Sequence, residues 1–111
     1  MDHKTQILLE KIVNEATYIA KAINGVDIEH FVEDETLKRA VTMSLINIGE
    51  LTSVIPEEFR KENVHIMWSQ IRRTRDKVAH HYIDLDQRII WETVNNSVPE
   101  LKRQIEELLI K

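Results

Sequence analysis

Apolar residues recur along this chain at intervals of three and four, the period of a helix with one buried side. Leu9, Val13, Ala16, Ala20 and Ile23 share one face and predict a first helix from about His3 to Asn24. Asn24-Gly25 reads as its stop, with a short turn through Phe31. Leu37, Val41, Ser44, Ile48, Leu51 and Ile55 predict a second helix from near Asp34 to just before Pro56. Pro56-Glu57-Glu58-Phe59 looks like a short helical turn with Pro early in it, its two acids complementing the helix dipole. A third helix is expected from about Met67 to Tyr82, with the seam Trp68, Ile71, Arg75, Val78 and Tyr82. Asp84 and Asp86 are candidate caps for a last helix, where Val94, Val98, Leu101, Ile105 and Leu108 keep the spacing across Pro99. Ser97-Val98-Pro99-Glu100 resembles a fresh helix start with a capping box, but the unbroken seam favours one long helix kinked at Pro99. No segment alternates with period two. The expected fold is all-α, a single domain over residues 1–111 built as an antiparallel bundle of four or five helices.

Composition narrows the chemistry. With 111 residues and 42% hydrophobic content, one modest core is expected. The absence of Cys excludes disulfides and thiol-based nucleophiles or metal sites. No stretch has the form of a signal peptide or the length of a membrane span, so a soluble, cytoplasmic protein is expected. His3, His30 and His65 are scattered and predict no metal cluster. The net charge of −4 argues against a general nucleic-acid coat but leaves room for a local basic site.

One such site stands out. Arg72, Arg73, Arg75 and Lys77 lie within six residues, with Asp76 as the single acid among them. His80, His81 and Tyr82 follow directly. Arg75 and Tyr82 occupy the third helix's apolar seam, where Leu or Ile would be expected, and a charge there needs an anionic partner or a function. Asn47 and Glu50, three apart on one edge of the second helix, are candidate partners. Asp76 and His80 are four apart, so the carboxylate is placed to fix the imidazole's tautomer. Arg75 and His80 are five apart and point roughly 140° away from each other on an ideal helix. They converge only if the helix ends near His80 or a second subunit contributes. Metal-free RNA cleavage requires a base for the 2′-hydroxyl, an acid for the leaving 5′-oxygen and positive charge at the phosphorane. Imidazole suits the proton transfers, and guanidinium suits the phosphate. Taken singly, the same residues have plainer readings: Arg75 as half of a structural ion pair, His80 as a helix C-terminal cap, Tyr82, Trp68 and Trp91 as core.

The spacing of Arg75, His80 and Tyr82 resembles the Arg, four residues, His, one residue, Tyr motif of HepT-like proteins in the HEPN superfamily of helical RNases. His81 fills the variable position. Asn47-Ile48-Gly49-Glu50 is similar to that family's Ile-Gly-Glu segment, and Pro56 to Arg60 with Trp68 to its middle section. Ile83-Asp84-Leu85-Asp86 and Trp91-Glu92-Thr93-Val94 resemble the stretch after the motif, so the likeness spans about residues 36 to 109. The resemblance implies a HEPN bundle, a homodimer with the two motifs facing across a cleft, and a metal-independent endoribonuclease. It also implies the toxin role in a type VII toxin–antitoxin pair, whose antitoxin is an MntA-type nucleotidyltransferase. Arg75 and His80 would be catalytic. Tyr82 would receive AMP from ATP used by the partner, and cleavage itself would need no cofactor. Asp76, Arg72, Lys77, Asn47 and Glu50 would support the site or bind RNA. The rival expectation is a non-catalytic HEPN subunit whose motif only binds nucleotide or docks the nucleotidyltransferase.

Overall fold

The computed structural model describes residues 1–110. They form helices α1 (His3–Ile23), α2 (Ile28–Glu33), α3 (Glu35–Val54), α4 (Glu57–Glu62), α5 (Trp68–His81), α6 (Gln87–Glu92) and α7 (Val98–Leu109), with no strand among the described residues. The wider turn Thr93–Ser97 joins α6 to α7 without leaving helical dihedrals. Aspartates open four of these helices. Asp2, Asp27, Asp34 and Asp86 each accept a hydrogen bond from a backbone N–H of the first turn, satisfying donors that have no partner inside the helix.

α1 lies between α3 and α7, and α3 lies between α1 and α5, in antiparallel packing. The core draws Leu9, Ile12 and Ile19 from α1, Val41 and Ile48 from α3, Val78 from α5, and Leu101 and Ile105 from α7. Phe31 of α2 stacks at a tilt on Trp91, ring centres 5.0 Å apart, and closes the end of the bundle. The Gln104 amide of α7 accepts from Met67 N–H and donates to the His65 carbonyl, both at 3.2 Å, which anchors the loop before α5.

Two expectations change, and one open choice is decided. The seam of α1 centres on Ile12 and Ile19, with Ala20 exposed and Val13 only half-buried. Residues 28–33 form helix α2 rather than a turn, and its signal in the sequence is the Asp27 cap, Oδ1 accepting from His30 N–H at 2.9 Å. The capping box at Ser97 does not form; the chain stays helical through Pro99. The loosened turn before Pro99 explains why: proline lacks an N–H and crowds the preceding turn, and a wider turn relieves both problems without ending the helix.

Candidate active site

Helix α5 carries the motif and is seated chiefly on α3. Only Trp68, Ile71 and Val78 of α5 are fully buried, so the helix rests on a narrow stripe with its polar flanks in water. Arg75 lies on that stripe. Its methylene stem crosses α3 at Gly49 so closely that a Cβ there would come within 2.3 Å of both Cβ and Cγ of Arg75. Glycine is what lets the arginine enter the seam.

The guanidinium emerges at the edge with 22% of the side chain exposed and is held from two sides. Nη2 donates to Glu50 Oε1 at 2.6 Å, and Nη1 donates to Asp76 Oδ1 at 2.7 Å. Asp76 thus turns to Arg75 rather than to His80. Asn47 does not reach Arg75 either; its Nδ2 donates to Glu15 Oε1 of α1 at 2.9 Å. α5 remains helical through His81, so Arg75 and His80 diverge within one chain. His80 and Lys77 are exposed and Arg72 is half-buried. Arg72 and Arg73 line a shallow dip together with Ser69 and Asp76.

Tyr82 caps α5 and folds back against the core. It lines a cavity of about 220 Å3 with Thr42, Met43, Ile46 and Val78. Its hydroxyl oxygen and the Thr42 hydroxyl are both buried without a hydrogen-bond partner among the described residues. Nearby apolar side chains are not covered: Met43 is 58% exposed and Ile83 88% exposed.

The family profile described as ribonuclease HepT-like matches residues 12–108. The chain belongs to the ribonuclease HepT-like family. A protein named "Putative RNase" from Caldanaerobacter subterraneus subsp. tengcongensis is 40% identical over 103 residues, covering 93% of this chain and 92% of that one. A "Probable ribonuclease HepT" from Thermococcus cleftensis is 34% identical over 100 residues, covering 90% and 91%. A further "Putative RNase" from Methanocaldococcus jannaschii is 36% identical over 86 residues, covering 78% and 71%. No solved structure matches the chain. In this HepT-like chain no helix among the described residues is long and apolar enough to cross a membrane.

Two participants were not singled out from the sequence. Gly49 enters the sequence reading only through the Ile-Gly-Glu likeness; the signal for its packing is a lone glycine inside an otherwise regular helix. Glu15 carried no signal, since nothing in the α1 pattern says that it meets Asn47.

Proposed function

We propose that this HepT-like chain is a metal-independent endoribonuclease, that it is the toxin of a type VII toxin–antitoxin system, and that it acts as a homodimer. The observation that carries the reading is the placement of Arg75: a guanidinium fixed by the α3 crossing, on the same helix as the exposed His80 imidazole. His80 takes the proton of the 2′-hydroxyl or returns one to the 5′-oxygen. The 2′-oxygen bonds to phosphorus, the bond to the 5′-oxygen breaks, and Arg75 stabilises the charge gathered on the phosphoryl oxygens. Arg75 and His80 diverge within one subunit, so a second copy completes the site, and the uncovered Met43 and Ile83 beside the motif favour that docking. Glu50 and Asp76 hold Arg75 until a phosphate replaces them; both are more than half exposed and free to swing aside.

Control falls to an MntA-type nucleotidyltransferase. The Tyr82 oxygen attacks the α-phosphorus of ATP, pyrophosphate leaves, and the tyrosine carries AMP. The added phosphate then competes with RNA for Arg75. The buried hydroxyl must first swing out, and the position of Tyr82 as the C-cap just past α5 makes that movement local. The test is intact-mass analysis of protein expressed alone and with such a partner, followed by incubation of each form with RNA in chelator. Cleavage only by the unmodified form is expected, with His80→Ala at least about a hundredfold slower. A folded dimer that neither cleaves nor gains mass sinks this reading. A second reading, a non-catalytic partner-binding subunit, draws on the two carboxylates already occupying Arg75; it predicts tight partner binding and no cleavage.

A further inference from the structure

A groove outside the motif adjoins Arg75. Between α1 and α3 is a cavity of about 350 Å3 lined by Lys11, Asn14, Glu15, Asn47, Glu50 and Leu51, a volume within the range of small-molecule sites. Three features distinguish it from an ordinary surface dip. Glu50 belongs both to the groove and to the Arg75 ion pair, and Asp76 continues the chain of contacts to the basic dip of Arg72 and Arg73. The polar wall is ordered, because Asn47 Nδ2 donates to Glu15 Oε1 at 2.9 Å and sets an amide beside a carboxylate. One turn beyond Asn14 on α1, Tyr18 is 49% exposed and offers an aromatic face to water.

An amide beside a carboxylate is equipped to read a base edge. The carboxylate accepts from an exocyclic amino group, and the amide both donates and accepts. Single-stranded RNA is recognised through such edges and through stacking on aromatic rings. Lys11 in the lining and Arg75 on Glu50 balance the two carboxylates, so the groove has no surplus of positive charge to hold a phosphate and suits a base, while the backbone is left to Arg75 and the basic row.

We propose that the α1–α3 groove is a nucleobase subsite that takes the base next to the phosphate at Arg75. Asn14, Glu15 and Asn47 favour adenine, cytosine or guanine, which carry an amino group, over uracil. The proposal takes its place in the reaction from the ribonuclease reading, but the binding can be measured without cleavage.

The experiment has two arms. In the first, His80→Ala protein is titrated with the four nucleoside 5′-monophosphates, and the side-chain amide signals of Asn14 and Asn47 are followed by NMR. AMP, CMP and GMP are expected to bind about tenfold more tightly than UMP, the worth of roughly one good hydrogen bond. Glu15→Gln should remove that difference. In the second, cleavage sites on a mixed-sequence RNA are mapped for protein with its native His80, where Asn14→Ala and Glu15→Gln should erase the base preference while cutting continues. Equal or undetectable binding of all four nucleotides up to millimolar concentration overturns the subsite. Cleavage with a preference untouched by Glu15→Gln also overturns it and leaves the ribonuclease reading standing. Selective, Glu15-dependent binding without cleavage of any RNA supports the subsite and removes the ribonuclease reading instead.

Discussion

Arg75 gives its stem and its head to different neighbours, and the two can be separated by substitution. The stem packs on the Gly49 backbone, whereas the head meets two carboxylates that are 59% and 62% exposed. Ion pairs of that exposure contribute about 0–1 kcal/mol. Arg75→Met keeps an apolar stem, so denaturant unfolding should find its stability within about 1 kcal/mol of the parent, while RNA cleavage is lost. A large loss of stability would mean that the ion pair is the arginine's purpose. Tyr82 poses a complementary case. Its buried hydroxyl has no partner among the described residues, and an unmade hydrogen bond in the interior costs about 1–3 kcal/mol. Tyr82→Phe should therefore melt no lower than the parent, and it should accept no AMP when the nucleotidyltransferase is co-expressed.

At the scale of elements, the α3–α5 crossing sets the position of the motif. Gly49→Ala places a methyl group against the Cβ and Cγ of Arg75. Overpacking of this kind costs about 1–3 kcal/mol, only part of it returned by alanine's better helix propensity. The variant should lower Tm and weaken cleavage together, because α5 must lift to make room. The helix caps give a pH prediction. Backbone N–H donors hold the carboxyls of Asp2, Asp27 and Asp86 below their ordinary value. Groups whose pKa is depressed on folding stabilise above their unfolded pKa and lose that contribution as pH falls through the folded one. Helicity measured by circular dichroism should therefore fall below about pH 4, and Asp86→Ala should reduce that dependence. The α3 spacing found Val41, Ser44, Ile48 and Ile55 but not Leu45, which is buried because α3 is covered by α1 on one side and α5 on the other. α1 is likewise packed between two helices, α3 and α7, so Leu8, Leu9, Ile12, Val13 and Ile19 form a broad stripe whose centre spacing does not reveal. Of the site, the motif and the Glu50 partner were readable along the chain. The preference of Asp76 for Arg75 over His80, and the Asn47–Glu15 bond across helices, depend on tertiary geometry that no local pattern encodes.

The whole molecule measures 42 × 27 × 20 Å, with the motif helix on its flank. Light scattering at micromolar concentration should return twice the mass of the 13.1 kDa chain. A monomer would leave Arg75 and His80 facing apart and would count against a composite site. The flank position has a kinetic side as well. An element attached to one neighbour by three buried side chains opens more readily than one enclosed on two sides. Amide hydrogens of α5 should therefore exchange before those of α1, and a protease should cut there first. Whatever covers α5 closes that route by mass action, so the lifetime of the chain in a proteolytic environment would be set by how much of it is paired.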